Sequence, residues 1–483
     1  MKERVLIQGV VSEVQFPNKG KLIPADEQPS ITEVAAPAGI LYVEPTKTYG
    51  PLSIKNALPG QKWLVNTHKN GRRSHEAYPL RLLERAPYEV DAPCPHAAYC
   101  GGCSYQTVPY EIQAEWKEKQ VKDLLSPVVG MEEAKWLPLQ HSPLELSYRN
   151  KMEFSFGDAE KDGPLTLGLH KRGAAHDIIS VPQCQLVHPD IRLILAATEN
   201  FFRESGLPYY KNRTHEGILR HLVVRRSFAT GDVLVNLVTT SALKPAANGS
   251  NQPVLNEYTD MLCKLPLQGR IGGVLHTLND TLGDVVQKDE LYVLYGEPSL
   301  MERLLDLEFK IFPFSFFQTN TLGAEKLYSI VRDFAGDVSG KTVFDLYCGT
   351  GTIAQVMAAA GAKEVTGIEI VAEAIDAAKD NAALNGLDNC HFMAGDVLAL
   401  VDTLESKPDL IVLDPPRDGI NPKALPKILA YEPEQFIYVS CKPTSLVRDL
   451  PAFVEAGYHI RQVSCCDMFP MTVHVETVVL LSK

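Results

Sequence analysis

The chain has 483 residues, of which 45% are hydrophobic and 22% are charged, a composition typical of soluble globular enzymes. This length exceeds one ordinary hydrophobic core and predicts two or three domains. No stretch is both long and apolar enough for a signal peptide or a membrane span, so we expect a cytoplasmic protein. The formal charge of -12 argues against a protein that coats nucleic acid, although it leaves room for a local basic groove.

Short alternating stretches separated by proline and glycine fill the first part of the chain. VLIQGVVSEV, GILYVEP and QKWLVNTH have the alternation of strands, and PNKGKLIPADEQPS is expected to be a loop. Residues 1–90 are therefore predicted to form a small β-barrel. A basic set in this region has the pattern of a solvated loop face: Lys55, Lys62, Lys69, Arg72, Arg73, Arg81 and Arg85.

The next part of the chain, from Cys94 to about residue 310, mixes both periodicities. A helix is predicted at YEIQAEWKEKQVKDLL and strands at KMEFSFG, LTLGLH, LRHLVVRRS and VLVNLVTT, so residues 91–310 are expected to form a mixed α+β domain. Charge alone leaves phosphate contact open for a second basic set: Lys211, Arg213, Arg220, Arg225 and Arg226.

A regular alternation of strands and helices begins at Tyr328. KTVFDLYCGTG, KEVTGIEI, CHFMAGD, PDLIVLDPPR and QFIYVSCKP supply apolar strands with helical stretches between them. This rhythm predicts a mixed, mostly parallel sheet covered by helices, a Rossmann-like arrangement over residues 311–483. Ligands of such sheets bind at the carboxyl ends of the strands.

A glycine-rich turn follows the first strand of this region. Asp345, Gly349 and Gly351 form D-x-x-x-G-x-G rather than the G-x-G-x-x-G of dinucleotide sites. The next two strands end at Glu369, an acid suited to two ribose hydroxyls, and at Asp396, an acid suited to the adenine amino group. Each feature alone is compatible with an ordinary loop. Together and in this order they predict a binding site for S-adenosylmethionine.

The fourth strand of the region ends in DPPR. Two consecutive prolines fix the turn and stop the strand, so Asp414 is expected at the mouth of the cofactor site. Many methyltransferases that act on planar nitrogen or ring atoms have an acid or amide followed by two prolines at this place. A plain turn is the structural alternative.

Cys441 follows the fifth strand and precedes a predicted helix in SCKP. The helix N-terminus and the neighbouring Lys442 are expected to lower the pKa of its thiol from about 8.5 and to favour the thiolate. Cys348 belongs to the glycine turn. Four other cysteines are predicted to be inert packing residues: Cys263, Cys390, Cys465 and Cys466.

Glu476 lies among apolar residues of a short strand in HVET. Burial there is expected to raise the pKa of its carboxyl and suit it to proton abstraction, although an acid in a strand is more often on the surface. A thiolate and such a base are what methylation of a uracil carbon 5 requires. The thiolate adds to carbon 6, carbon 5 attacks the methyl group, and the base removes the hydrogen of carbon 5 before the thiolate is expelled.

A separate cysteine group lies in the central region. CPHAAYCGGC contains Cys94, Cys100 and Cys103, and Cys184 follows downstream in VPQCQLVHP. Without a secretory signal, clustered cysteines are read as metal ligands or nucleophiles. Four thiolates suit an iron-sulfur cluster or a zinc ion equally, and the residues leave both open. The spacing is not the C-x3-C-x2-C of radical chemistry on S-adenosylmethionine.

Five motifs in combination resemble the bacterial RNA uracil-5 methyltransferases, which make 5-methyluridine in ribosomal or transfer RNA: FFQTN, DLYCGTG, DPPR, SCKP and HVET. The resemblance extends over essentially the whole chain. It implies Cys441 as the nucleophile and Glu476 as the base. It also implies that six residues hold the cofactor or the base: Gln318, Tyr347, Thr352, Glu369, Asp396 and Asp414.

The same resemblance implies the nature of each domain. Residues 1–90 would be a TRAM-like, OB-type RNA-binding barrel, although residues 17–39 interrupt the glycine-rich opening usual in the family. Residues 91–310 would be the central iron-sulfur and RNA-binding domain. Residues 311–483 would be a class I methyltransferase domain. The fold expected for the chain is therefore multidomain α/β.

Family members with this cysteine spacing bind a [4Fe-4S] cluster, so the resemblance implies iron and sulfur at Cys94, Cys100, Cys103 and Cys184. It also implies 23S ribosomal RNA as the substrate, with no membrane and no obligate protein partner. The target uridine must be extruded or lie in a single strand. The alternatives are tRNA uridine-5 methylation, RNA cytosine-5 methylation, and an iron-sulfur RNA-binding or folding factor without catalysis.

Aromatic residues in KIFPFSFFQTN are candidates for stacking on RNA bases. The four phenylalanines are Phe312, Phe314, Phe316 and Phe317, and alternation along a strand would place at least two of them in the core. Gln318 adds a donor and an acceptor beside them. The segment is therefore predicted to contribute to the base-binding side of the site.

Overall fold

The computed structural model describes eight ranges of the chain: 4–26, 42–43, 49–68, 76–174, 176–244, 252–283, 289–404 and 406–483. Lys69, Arg72 and Arg73 of the first basic set lie outside the described residues, as does most of the interruption at 17–39. Within these ranges, no helix combines the length and the apolar character needed to cross a membrane.

The chain forms two compact units. The first contains Met1–Ala92, Ser104–Ser126 and Pro470–His474, and the second contains Pro93–Cys103, Pro127–Phe469 and Val475–Lys483. The division at residues 90 and 310 inferred from the sequence stays a prediction.

The first unit is built around a closed barrel of five strands in the order β2-β4-β6-β5-β1, with β1 pairing again to β2. A short β3 adds to β1 in parallel. Alternate side chains such as Val5, Ile7 and Val11 are buried together inside it. The expected small barrel is thus confirmed. Its strands are β1 (Arg4–Gln15), β2 (Lys19–Pro24), β3 (Tyr42–Val43), β4 (Leu52–Lys55), β5 (Lys62–His68) and β6 (Glu76–Glu84).

Two sequence expectations are corrected within this unit. The segment expected as the loop PNKGKLIPADEQPS contains β2, which pairs with β1 from Gly9↔Pro24 to Gln15↔Lys19. Of the described basic residues, Lys55, Lys62 and Arg81 lie on strands rather than on a loop, whereas Arg85 follows the end of β6. Helix α1 (Tyr110–Leu125) completes the unit, with Trp116 packed edge-on against Tyr88 and Tyr105.

The second unit contains a central seven-stranded sheet in the order β10-β9-β8-β11-β12-β13-β14. Its pairs are antiparallel except for β12 with β13, and Phe202 of α2 packs on Phe156 of β8 and Tyr258 of α3. The elements are β8 (Lys151–Asp158), β9 (Leu165–His170), β10 (Ile178–Ser180), α2 (Pro189–Ser205), β11 (Leu219–Arg226), β12 (Asp232–Thr239), α3 (Pro253–Cys263), β13 (Arg270–Leu278) and β14 (Glu290–Gly296).

An eight-stranded sheet forms the remainder of the second unit, in the order β19-β18-β17-β20-β21-β23-β22-β7. The five strands from β19 to β21 are parallel, while β23 runs antiparallel to both β21 and β22. The mixed, mostly parallel sheet is confirmed. The strands are β7 (Lys135–Trp136), β17 (Thr342–Leu346), β18 (Glu364–Glu369), β19 (Cys390–Ala394), β20 (Leu410–Leu413), β21 (Gln435–Ser440), β22 (His459–Cys466) and β23 (Glu476–Ser482).

The chain moves outward from β17 through β18 to β19 and then returns to the other side of β17 with β20 and β21. This reversal opens a crevice at the carboxyl ends of β17 and β20, where sheets of this type bind ligands. Strands β17 and β20 are buried almost throughout, including Asp345 of β17, as strands of a covered parallel sheet should be.

Helices cover this sheet, and a hairpin of β15 (Leu300–Leu304) and β16 (Leu307–Ile311) precedes it. The helices are α4 (Thr321–Ala335), α5 (Thr352–Ala359), α6 (Ala372–Leu384), α7 (Val397–Leu400), α8 (Leu425–Leu429) and α9 (Pro443–Glu455). In the part of the chain that the structure describes, short 3-10 helices lie at Met131–Glu133, Ser241–Leu243 and Val401–Thr403.

Candidate active site

A cleft of about 1380 Å³ lies at the carboxyl ends of the parallel strands. All eight residues that the sequence analysis assigned to cofactor binding or catalysis line it: Gln318, Tyr347, Thr352, Glu369, Asp396, Asp414, Cys441 and Glu476. The fold therefore gathers side chains from the ends of five strands, the start of β23 and one loop into a single cavity.

The glycine turn between β17 and α5 forms one wall of the cleft. Gly351 has φ of +73° and immediately precedes α5, and a Cβ at this position would lie 2.6 Å from the Phe392 ring. Only glycine fits such a place. Tyr347 also has a positive φ of 71°, and its N–H donates to the Ile368 carbonyl at 2.9 Å. The turn is thus held against the end of β18.

The acids at the ends of β18 and β19 occupy the expected places beside this turn. Glu369 accepts from the Gly349 N–H at 3.2 Å through one carboxylate oxygen and from the Val371 N–H at 3.0 Å through the other. Asp396 caps α7 by accepting from the Leu398 N–H at 2.9 Å. Carboxylate oxygens have further acceptor capacity, so these bonds leave both acids able to receive ligand hydroxyls or amines.

Asp345 is a cleft residue that the sequence analysis used only as the first letter of its glycine motif. It is fully buried, and one carboxyl oxygen accepts from the Ala354 N–H at 2.8 Å. The other oxygen finds no hydrogen-bond partner among the described residues. Burial, followed by the charge of Asp414, raises the pKa of Asp345 to about 8. An acid inside an apolar strand directly before a glycine turn is the signal that marks it.

Glu476 begins β23 and lies opposite Cys466 of β22. Its side chain is buried, and burial together with the charge of Asp414 raises the pKa of its carboxyl to about 8, against a smaller opposite effect of Arg417. Burial also raises the pKa of Asp414, to about 7. The expected rise of the Glu476 pKa is therefore confirmed, and its value near neutrality suits a group that exchanges a proton.

Cys441 stands one residue beyond β21 and is half-buried. Burial, followed by the charges of Glu476 and Asp414, raises the pKa of its thiol to about 11, against a smaller opposite effect of Arg417. The expected lowering of this pKa is therefore wrong. The nearby ammonium of Lys442 lies 3.9 Å from an Asp418 carboxylate oxygen, and burial of the thiol has the largest effect on its pKa.

Arg417 is the cleft residue that opposes these acids. Its side chain hydrogen-bonds with Cys441, and its charge lowers the pKa of both Cys441 and Glu476. The sequence analysis missed it because DPPR was used only to locate Asp414. A cation at a strand end, next to an expected thiolate, was the available signal. Tyr328 was missed as well; it is buried, lines the cleft and hydrogen-bonds with the Gln318 side chain.

The aromatic segment forms a loop rather than a strand, because β16 ends at Ile311. Phe312, Phe314, Phe316 and Phe317 all line the cleft, but only Phe317 is in the core, while Phe316 is 64% exposed. The expectation that at least two of the four belong to a strand core is thus wrong. The exposed rings keep the segment available for contact with a planar ligand.

The second basic set lies largely inside the protein. Arg220 and Arg225 are each 3% exposed and donate to backbone carbonyls, and Arg226 donates to the Asp190 carboxylate at 3.0 Å. Arg220 and Arg225 are therefore not available for the phosphate contact that their charge alone left open. Lys211 and Arg213 are exposed.

A sequence profile of the tRNA (Uracil-5-)-methyltransferase family matches residues 300–483. An uncharacterized RNA methyltransferase of Clostridium tetani is 47% identical over 455 residues, which are 94% of this chain and 97% of that protein. An uncharacterized RNA methyltransferase of Caldanaerobacter subterraneus is 46% identical over 433 residues, 90% and 94% of the two chains. The chain belongs to this RNA methyltransferase family.

The architecture of the family is also found in a solved structure. The tRNA (uracil-54, C5)-methyltransferase of Pyrococcus abyssi, in complex with S-adenosyl-L-homocysteine, superposes with a TM-score of 0.72 and covers 98% of this chain and 99% of its own. Its sequence is 24% identical, so this likeness establishes the shared fold.

The four central cysteines of this family member lie in the second unit. Cys94, Cys100 and Cys184 are buried, Cys103 is half-buried, and none of them forms a disulfide bond. Burial and then the charges of Cys94 and Cys100 raise the pKa of Cys184 to about 11, which indicates that these thiols are near one another. Within the described residues, no group of three His, Cys, Asp or Glu side chains stands in geometry for a metal ion.

The raised pKa of Glu476 predicts how stability depends on pH. Folding takes up a proton at this group between its ordinary pKa of 4.5 and its folded pKa of about 8. Its contribution to the free energy of unfolding is complete below the lower value and is lost as the pH rises through the higher one. We expect the melting temperature of Glu476→Gln to fall less than that of the wild type between about pH 6 and about pH 9.

The exposed Glu308 on β16 provides a matched control for this measurement. Glu308→Gln removes the same charge outside the cleft, so its melting temperature should follow that of the wild type. An equally steep fall for Glu476→Gln and the wild type would contradict the assigned pKa.

Proposed function

We propose that the chain transfers a methyl group from S-adenosylmethionine to carbon 5 of a uridine in RNA, and that this RNA is 23S ribosomal RNA. The observation that supports this is the meeting of the Cys441 thiol and the Glu476 carboxyl in one cleft with the acids of the strand ends. S-adenosylmethionine supplies the methyl group on a positively charged sulfonium. Glu369, Asp396 and Tyr347 are the proposed contacts for its adenosyl part.

Cys441 and Glu476 divide the chemistry between them. The Cys441 sulfur bonds to carbon 6 of uracil, and the electrons of the ring double bond become available at carbon 5. Carbon 5 bonds to the methyl group as the bond between that group and the sulfonium sulfur breaks, and S-adenosylhomocysteine is the leaving group. Glu476 then accepts the hydrogen of carbon 5 as a proton. The double bond forms again as the bond between sulfur and carbon 6 breaks, and the thiolate leaves.

Arg417 has a defined part in this scheme. The Cys441 thiol must lose its proton before it attacks, and its pKa of about 11 opposes this. The guanidinium of Arg417 favours the thiolate through its positive charge and its hydrogen bond with Cys441. Asp414, which lines the same cleft, is proposed to hold the edge of the base by hydrogen bonds, and Gln318 is proposed to contact the cofactor.

The choice of RNA rests on the cysteine group. We propose that a [4Fe-4S] cluster is bound by Cys94, Cys100, Cys103 and Cys184. Four thiolates are the donor set that such a cluster requires. The family members that this chain resembles in its four cysteines favour ribosomal RNA as the substrate. The family description and the Pyrococcus abyssi protein name transfer RNA instead, so transfer RNA is the second candidate substrate.

Replacement of the proposed nucleophile should stop the reaction. Cys441→Ala is expected to reduce methyl transfer to background, because no other group in the scheme bonds to carbon 6, while binding of S-adenosylhomocysteine remains. The measurement is incorporation of labelled methyl groups into 23S ribosomal RNA and transfer RNA taken from cells that lack this protein. The wild type should label the ribosomal RNA.

Cys263→Ala is the control, because Cys263 is exposed on α3. It should methylate as the wild type does. Residual methylation by Cys441→Ala would contradict the covalent mechanism. Labelling of transfer RNA alone would identify transfer RNA as the substrate and would not contradict the mechanism.

Replacement of the proposed base should trap the reaction after methyl transfer. Glu476→Gln keeps the shape of the side chain but does not accept a proton, so the methylated adduct should stay attached to Cys441. We expect a covalent protein–RNA species that survives a denaturing gel and disappears in the double variant Cys441→Ala/Glu476→Gln. Full turnover without a trapped species would assign the base to another residue.

The metal content of the chain can be measured independently of catalysis. An anaerobic preparation should be brown and contain about four iron atoms per chain. Cys184→Ala should lower the iron content, whereas Cys263→Ala should keep it. Stoichiometric zinc in place of iron would overturn the cluster assignment.

A further inference from the structure

The loop at 312–320 holds one side of the cleft and begins with a tight turn. The Ser315 N–H donates to the Phe312 carbonyl at 3.3 Å, and the Phe312 N–H donates to the Ser315 hydroxyl at 3.4 Å. Pro313 follows Phe312 in this turn, a position that suits its fixed φ. The turn directs the backbone from β16 into the cleft.

Arg225 of β11, in the central sheet, reaches this turn. Its Nε donates to the Pro313 carbonyl at 3.0 Å, and a second guanidinium nitrogen donates to the Ser315 carbonyl. The side chain is 3% exposed. Backbone pairing fixes Arg225 from both sides, with Leu234 of β12 and Lys151 of β8 as its partners. A rigid three-strand platform therefore presents the guanidinium to the loop.

Two further contacts continue from this point. The Thr350 hydroxyl of the glycine turn donates to the Phe316 carbonyl at 3.1 Å, and a Cβ on Gly349 would lie 3.7 Å from the Phe316 ring. The Asn150 side chain donates to the Gln318 carbonyl at 2.9 Å. The loop is thus held between the central sheet and the glycine turn.

We propose that Arg225 is a positioning residue that fixes the turn at 312–315 and thereby sets the affinity of the cleft for its adenosyl cofactor. Phe316 and Gln318 face the cleft only when the backbone before them is held. A loop that occupies its competent position for about one tenth of the time binds its ligand about tenfold more weakly. The inference rests on the proposed function only for the identity of the cofactor.

The chemistry of arginine suits this task better than that of lysine. A guanidinium presents several N–H donors in a planar fork, so it bonds two carbonyls of one turn at once. An ammonium group is a compact point charge on a flexible stem and does not reproduce the fork. The buried charge also strengthens each donated hydrogen bond.

The test measures the affinity of the full chain for S-adenosylhomocysteine by calorimetry, and hydrogen exchange of the backbone amides at 314–317. Arg225→Met should weaken binding by about tenfold and speed exchange of these amides. Arg225→Lys should fall between Arg225→Met and the wild type, because it keeps the charge but loses one of the two bonds.

Arg220→Met is the matched control. Arg220 lies on the same strand with the same 3% exposure, and it donates to the carbonyls of Asn279 and Thr281 instead. This variant should keep the affinity of the wild type and the slow exchange at 314–317, even where its melting temperature falls.

Several results would overturn the proposal. Wild-type affinity in folded Arg225→Met would do so, and so would equal weakening by Arg220→Met. Where Arg225→Met does not fold, Arg225→Lys decides by the same comparison. A wild-type chain that does not bind S-adenosylhomocysteine would contradict the proposed cofactor. The amide exchange rates at 314–317 would then be the test of the role of Arg225.

Discussion

Asp414 is the carboxyl group around which the cleft is arranged. Burial raises its own pKa to about 7, and its charge raises the pKa of Asp345, Glu476 and Cys441. It follows β20, which lies between β17 with Asp345 and β21 with Cys441, and β23 with Glu476 is the next strand along. A change in the protonation of one group therefore alters the pKa of the others, and they titrate as a set.

The DPPR turn supplies both signs of charge to this set. Asp414 raises the pKa of Glu476 and of Cys441, and Arg417, three residues later, lowers both. Burial and the acids prevail over Arg417, because each pKa is raised overall. Two prolines between the acid and the cation fix their separation. Any ligand that brings positive charge into the cleft acts in the same direction as Arg417 and favours the ionised forms.

The sequence predicts the strands and the strand-end residues well because both depend on local pattern. β17, β20 and β21 are mostly apolar, with Asp345 of β17 as the one charged residue in them, and a glycine turn or a proline pair follows two of them. The direction of the Cys441 pKa shift does not follow from the sequence, because burial of the thiol, its largest cause, arises only on folding, and Glu476 comes close only through the pairing of β21 with β23. Likewise, the sequence shows that Arg220 and Arg225 are charged but not that backbone carbonyls surround them.

The domain boundary predicted at residue 310 rests on a change in the local sequence pattern. Contacts that form only on folding do not show in such a pattern. The carbonyls of the loop that begins immediately after this boundary accept hydrogen bonds from both sides: Arg225 and Asn150 belong to the central part, and Thr350 belongs to the glycine turn. The strands of the eight-stranded sheet fix the acids and the thiol rigidly, whereas Phe316 and Gln318 stand on a loop without strand pairing. Their placement requires bonds from outside the eight-stranded sheet, so the central sheet is part of the cleft's construction.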